Sequence, residues 1–323
     1  MVPPNDRTHA PPRSEVDDAR YLLVAGSYRS GSTALFQYLS VHPQVSAARV
    51  KETCFFLPVD EETPSEYRAG RDSLASYASL FAGPVGHQTV RVEASPGYLY
   101  YAETARAIKS ALPNARIVVS LREQVAWLIS WFKTLKALSL LEAALDFDEF
   151  IDAQVTDTRP WRQRPHGYRA VDHGYYAKFV EQYVDVFGAD KVLVTWFDDL
   201  TNTPRDVMRK VCTFASLDPA AYDSYEFRRV NPSVKLRSQR SHEIYSRLRR
   251  GTVRLASVRP RTSEAVKRLL PRIDARFYAL ITEAADEVQP SPATSSMLKE
   301  LYADDNRRLA TIVGAPVPWA AER

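Results

Sequence analysis

The chain has 323 residues, 45% hydrophobic and 25% charged, an ordinary balance for a globular enzyme that buries a core large enough to need no disulfide or metal staple. Cys54 and Cys212 lie far apart with no CxxC spacing, which excludes a disulfide framework and fits a reducing compartment. Net charge is +4 but uneven: residues 232–276 carry 13 Lys/Arg against 3 Asp/Glu, net +10, leaving −6 elsewhere. This basic segment reads as a solvated surface or as an attractor of a polyanionic ligand; no nucleic-acid motif accompanies it, so no nucleic-acid partner is expected. The N-terminus has no apolar signal region, and no apolar run approaches the roughly 18 residues of a membrane span; the expected location is cytoplasmic.

Residues 1–19, rich in Pro and charge, read as a disordered tail ahead of one domain spanning 20–323. Tyr21-Leu-Leu-Val-Ala25 is a continuous apolar run suited to a buried parallel strand. A glycine loop, Gly26 to Gly31, follows, and Thr33 to Val41 reads as a helix stopped near His42-Pro43. The unit repeats as Arg116-Ile-Val-Val-Ser-Leu121 with a helix from about Glu123, whose Val125, Leu128, Ile129 and Phe132 keep helical spacing. It repeats again as Lys191 to Phe197 with a helix over Pro204 to Ala215. Such alternation predicts an α/β fold, a central parallel sheet flanked by helices on both faces. Segments 58–75, 155–172 and 232–263 read as surface loops, and 286–296 as a Pro/Ser-rich break before the last helix.

Gly26-Ser-Tyr-Arg-Ser-Gly-Ser-Thr33 has the Gly-x4-Gly spacing of a phosphate loop between strand and helix. Glycine permits a path on which successive N–H groups face one anion, and the helix N-terminus adds positive potential. Ser32 and Thr33 add hydroxyl donors. Ser32 stands where a nucleotide triphosphatase has lysine, and the cation is Arg29, inside the turn. A Walker lysine bridges the β- and γ-phosphates, so its loss argues against a nucleoside triphosphate.

Tyr-Arg-Ser-Gly-Ser-Thr after a first strand resembles the 5'-phosphosulfate loop of sulfotransferases that use 3'-phosphoadenosine-5'-phosphosulfate (PAPS). The resemblance implies a P-loop-like three-layer sandwich, PAPS as co-substrate on Arg29, Ser30, Gly31, Ser32 and Thr33, and no metal. It also implies a second anion site for the 3'-phosphate. Arg122, at a strand's C-terminal end, and Ser130, about two turns into the next helix, have the Arg-x7-Ser spacing of that site.

Lys51-Glu-Thr-Cys-Phe-Phe56 sets a carboxylate beside a cation and an aromatic pair. On spacing alone Glu52 is a solvated surface residue. Lys-Glu-x-x-Phe-Phe is, however, similar to the motif of heparan-type glycan sulfotransferases and their bacterial relatives, whose Glu is the general base. That implies Glu52 as base and Lys51 as a contact to the transferring group. Cys54 replaces the family's usual His, and Glu93-Ala-Ser-Pro96 carries Ala94 where the family has Lys; both departures fall on the acceptor side and point away from a heparan-like acceptor. Later stretches, Asp172 to Phe179, Trp196 to Leu200, and Leu301-Tyr302 with Asn306 and Leu309, also resemble the family. Arg237 stands in the place of its late basic loop over the cofactor. His166 and His173 are candidate acceptor contacts, a structural or surface role being the more ordinary one.

The reading is therefore transfer of a sulfuryl group to a hydroxyl, or as second choice an amine, of a small-molecule, glycan or lipid acceptor. Two other readings compete. One is a magnesium-dependent P-loop kinase with Asp198 or Asp199 as its strand-end acid; the other is a polyanion-binding module built on 232–276.

Overall fold

The computed structural model describes residues 20–58, 73–81, 89–137, 140–142, 144–156, 169–228 and 287–320, and the backbone of 234–236 and 282–284. Five short strands form one parallel sheet: β1 (Arg20–Gly26), β2 (Val45–Ala47), β3 (Val90–Ala94), β4 (Arg116–Leu121) and β5 (Val192–Trp196), in the order β2-β3-β1-β4-β5. The helices among the described residues are α1 (Ser32–Ser40), α2 (Leu74–Ala78), α3 (Ala102–Ala111), α4 (Gln124–Ala137), α5 (Phe147–Val155), α6 (Ala170–His173), α7 (Tyr176–Phe187), α8 (Phe197–Asn202), α9 (Pro204–Ala215), α10 (Pro292–Leu301) and α11 (Ala303–Val313). A 3₁₀ turn, Pro96–Tyr100, follows β3, and β6 (Val234–Leu236) pairs antiparallel with β7 (Thr282–Ala284).

The continuous apolar character of β1 has a direct cause: both faces of the sheet are covered. Tyr21, Leu23 and Ala25 join Ile117, Val119 and Leu121 of β4 under α3, α7 and Leu309 of α11. Leu22 and Val24 join Val90, Val92, Ala94 and Val118 under α1 and α9. A third cluster packs α4, α5, α6 and α10 around Trp127, Phe132, Phe150 and Tyr302. The three-layer α/β expectation thus holds.

From β1 the chain leaves through α1, on one face, toward β2; from β4 it reaches β5 by way of α7, on the other face. The loops after these adjacent strands therefore diverge, and the crevice beyond their C-terminal ends is where an open α/β sheet takes its ligand.

The helix expected from about Glu123 starts at Gln124; the Glu123 carboxylate accepts from the amides of Val125 (3.0 Å) and Ala126 (2.7 Å) and so caps it. Boundaries differ from expectation in two places. Phe197 begins α8 and does not extend β5, which puts Asp198 and Asp199 exposed on a helix's first turn. The expected break at 286–296 holds the start of α10: Ser291 Oγ accepts from Thr294 N at 3.1 Å and Pro292 is the first helical residue. Proline is favoured there because that N–H has no intrahelical partner anyway.

Candidate active site

The loop after β1 is fastened from several sides. Ser27 N donates to Ser120 O of β4 at 2.7 Å, the Ser120 hydroxyl donates to Ser30 O, and the Trp127 indole N–H donates to Tyr28 O. The Ser30 hydroxyl is buried and lies 2.6 Å from that of Ser27, so its side chain shapes the loop from within. Gly31 sits at φ 88°, and a Cβ there would meet Leu200 Cδ2 at 2.6 Å; the position demands glycine on both counts. Beyond it the first amide to find a carbonyl is that of Leu35, bonded to Gly31 O at 3.0 Å. The preceding amides, from Ser30 through Ala34, donate to no acceptor among the described residues. They form the orphan donor set of a helix N-terminus.

Two cations converge on this end of the sheet. Arg29 Nε donates to Ser130 Oγ at 3.2 Å, joining the loop to α4. The Arg122 guanidinium lies over the Phe197 ring at 4.5 Å, and its buried Nε has no hydrogen-bond partner among the described residues. Burial pushes both arginines down from their ordinary pKa, and the charge on Arg29 adds to the effect at Arg122 while Asp198 opposes it. Among the described residues no carboxylate lies within ion-pair distance of either guanidinium. Desolvated like charges held together are unfavourable until an anion joins them.

A wall of parallel rings backs the loop. Tyr28 stacks on Trp131 (centroids 5.2 Å) and on Tyr100 (5.4 Å), and Tyr100 stacks on His173 at 3.9 Å. His173 is 2% exposed, shut among Tyr100, Trp127 and Phe179. It is a core histidine and not the acceptor contact entertained from sequence. A Cβ on Gly97 would meet the Tyr28 hydroxyl at 2.3 Å, so a glycine is needed where the turn after β3 passes that ring.

Tyr28 also lies within electrostatic reach of Glu52 and Cys54, so the 51–56 segment borders the same crevice. Lys51 Nζ pairs with Glu52 Oε1, the side chains being 19% and 39% exposed. Glu52 and Cys54 both take the left-handed region, at φ 64° and 51°. Behind them, Glu93 is buried without a cation among the described residues: Thr53 Oγ1 donates to its Oε2, and the Tyr77 and Tyr98 hydroxyls face it. Burial pushes the Glu93 carboxyl up to about 7. Ala94, where a lysine was the resemblance's expectation, is wholly buried in the cluster under α1.

A family model described as "Sulfotransferase domain" matches residues 19–255. The chain belongs to the sulfotransferase family. Two curated relatives of this sulfotransferase are bifunctional heparan sulfate N-deacetylase/N-sulfotransferases. Enzyme 1 of Caenorhabditis elegans is 23% identical over 206 residues, which cover 63% of this chain and 23% of that protein. Enzyme 3 of Mus musculus is 26% identical over 203 residues, covering 61% and 22%. The match therefore spans less than a quarter of those relatives' length. Among solved structures, a sulfotransferase from Alicyclobacillus acidocaldarius shares the fold, with TM-score 0.64 and 21% identity over 93% of this chain and 98% of that one.

Of the residues singled out from sequence, the sulfotransferase structure brings together Arg29, Ser30, Gly31, Ser32, Thr33, Arg122 and Ser130, with Lys51 and Glu52 bordering them across Tyr28. Arg237, His166 and most of 232–276 lie outside the described residues; β6, just before Arg237, runs beside α4. Thr53, Glu93, Ser95 and Tyr98 were not singled out as site residues from sequence. The available signal was Glu93 itself, a charge inside the apolar strand Val-Arg-Val-Glu-Ala.

Two outcomes follow. Gly31→Ala should lower the thermal unfolding midpoint, because the left-handed backbone costs about 1–2 kcal/mol before the contact with Leu200 is counted. For Glu93 the folded chain holds its proton more tightly than the unfolded one. Its contribution is therefore least costly below about pH 4.5 and is fully destabilising above about pH 7. Glu93→Gln should then gain on the native protein between pH 5 and pH 8, by at most about 3 kcal/mol, read from unfolding midpoints at the two pH values.

Proposed function

We propose that the protein transfers the sulfuryl group of PAPS to an acceptor hydroxyl, with an amine as second choice, and releases 3'-phosphoadenosine-5'-phosphate (PAP). One observation carries this reading: two half-buried arginines within electrostatic reach of each other, Arg29 bonded to Ser130 and neither ion-paired to a carboxylate among the described residues, beside a row of unengaged loop amides. That arrangement suits a ligand with two separate anionic groups on one nucleotide. Arg29, the amides of Ser30 to Thr33 and the hydroxyls of Ser32 and Thr33 would hold the 5'-phosphosulfate. Arg122 and Ser130 would hold the 3'-phosphate, and Arg237 would add a cation from outside the described residues.

PAPS supplies a sulfuryl group already joined to a good leaving phosphate. Arg29 and the loop amides are aimed where charge grows on that phosphate, the kind of preorganised donor whose loss costs about 10²–10³ in rate. Glu52 accepts the acceptor's proton, and Lys51, paired with it, would contact the transferring group. The heparan sulfate N-sulfotransferase relatives make a glycan the first acceptor class to try, followed by small molecules and lipids. The kinase reading loses support, since Asp198 and Asp199 start a helix and stand exposed.

Calorimetric titration without magnesium should give tight PAP binding, weakened about 10–100-fold in Arg122→Ala, the value of charge-assisted bonds to one phosphate. ATP binding that requires magnesium, with no PAP binding, would overturn the proposal in favour of a kinase. In an acceptor screen that reads PAP release, Glu52→Gln should keep PAP affinity and lose about 10²–10⁴ in turnover; native turnover in that variant removes Glu52 from the base role.

A further inference from the structure

Glu52 is held in a backbone conformation that a glutamate does not choose. A non-glycine residue in the left-handed region costs on the order of 1–3 kcal/mol, and this segment contains two, Glu52 (φ 64°) and Cys54 (φ 51°), separated only by Thr53. Such geometry persists where the surroundings over-determine it. Here the surroundings are one short stretch, from the end of β3 into the 3₁₀ turn. Glu52 N–H donates to Ala94 O at 2.9 Å. Cys54 N–H donates to Ser95 Oγ at 3.1 Å, and Phe56 N–H donates to the Tyr98 hydroxyl at 3.2 Å. The remaining residue of the turn, Thr53, is tied by its side chain: its hydroxyl donates to the Glu93 carboxylate, lies 3.3 Å from the Tyr98 hydroxyl, and accepts from Phe55 N–H at 3.3 Å.

Glu93 stands out in this set. It is 1% exposed, and among the described residues no cation compensates it; the groups that face it are the hydroxyls of Thr53, Tyr77 and Tyr98, with Tyr183 next to them through a 2.7 Å bond to Tyr98 O. A buried, uncompensated carboxyl is expensive, and an apolar residue in a strand of valines would be cheaper for the fold. What Glu93 provides that an apolar residue does not is a strong acceptor for the one side chain at the centre of the turn.

We infer that Glu93 is a positioning residue for sulfuryl transfer: through the Thr53 hydroxyl it locks the left-handed turn that presents Glu52 to the acceptor. The inference rests on the reading of Glu52 as base. Glu93 is buried, so it acts through Thr53 and not by contact with acceptor or donor.

The test uses the full chain with Thr53→Val, Thr53→Ser, Glu93→Leu, Glu93→Gln and the Thr53→Val/Glu93→Leu double variant. Hydrogen–deuterium exchange of the peptide spanning 49–57 reads the turn directly, with no acceptor required. Exchange there should quicken in Thr53→Val and Glu93→Leu, while the 26–35 phosphate loop keeps native protection and PAP affinity stays within about twofold. With the acceptor found by the screen, the rate of PAP formation should fall on the order of 10²-fold, the cost of misplacing a reacting group by about 1 Å. Thr53→Ser and Glu93→Gln, which keep a hydroxyl and an acceptor, should recover most of it. The double variant should be no worse than the worse single one, because both remove the same bond. Native exchange at 49–57 in Thr53→Val overturns the inference, and so does a double variant whose losses simply add. Should Glu93→Leu fail to fold, Thr53→Val, at a half-buried position, still decides. Failure of the donor reading shows separately, as absence of PAP binding to the native protein.

Discussion

Two guanidinium groups in a place with little water and no carboxylate partner among the described residues set the terms for the rest of this molecule. Arg29 and Arg122 come from loops that follow neighbouring strands, and each loses part of its hydration on folding. A fold that forces such a pair together must hold it rigidly. The fastening is visible: Ser120 and Trp127 bind carbonyls of the loop, Phe197 supports Arg122 from below, and Ser130 bridges to Arg29. The parallel sheet supplies the reason that the two loops meet, because connections on opposite faces part company between β1 and β4. Under the proposed function, the two anionic groups of the ligand are what this pair is placed to hold.

The 51–56 turn, the acceptor side under the proposed function, is built on a different principle. No cation pair organises it; a turn with unfavourable dihedral angles is pinned by acceptors offered in succession by Ala94, Ser95 and Tyr98, with Glu93 beneath. Tyr28 stands between the two halves, its ring in the aromatic wall and its hydroxyl over Gly97. A displacement of either half is therefore felt by the other through one side chain.

The parts that were readable from sequence are those that short-range spacing encodes. The glycines at 26 and 31, Arg29 between them, and Arg122 eight residues ahead of Ser130 all lie within single strand–loop–helix units, where periodicity and turn chemistry act locally. The paired coverage of β1 was readable because a strand buried on both faces cannot alternate polar and apolar residues. What escaped depends on contacts across 40 residues or more. Thr53 meets Glu93, and Trp127 meets Tyr28, only after the sheet has assembled. His173 invited a functional role because histidine is chemically versatile; its ring turned out to serve as one more flat surface in a stack. The 286–296 stretch reads as a break because it is rich in proline and serine, yet Pro292 within it begins a helix.

The C-terminal helices carry a consequence for how the chain is made. Asn306 Oδ1 accepts from the Gln124 amide at 2.6 Å, the Tyr302 hydroxyl donates to Val171 O at 2.8 Å, and Asp305 accepts from Ala177 N–H at 3.1 Å. Gln124 opens the helix that carries Ser130, and its buried amide finds this partner 182 residues later. During synthesis, therefore, the helix that carries Ser130 leaves the ribosome long before the residue that satisfies Gln124. Until α11 emerges, a nascent chain displays an unsatisfied polar group and the bare flank of α7, features that invite chaperone capture and slow the closing of long-range contacts. The residues that build this end of the sheet are thus translated well before those that complete it.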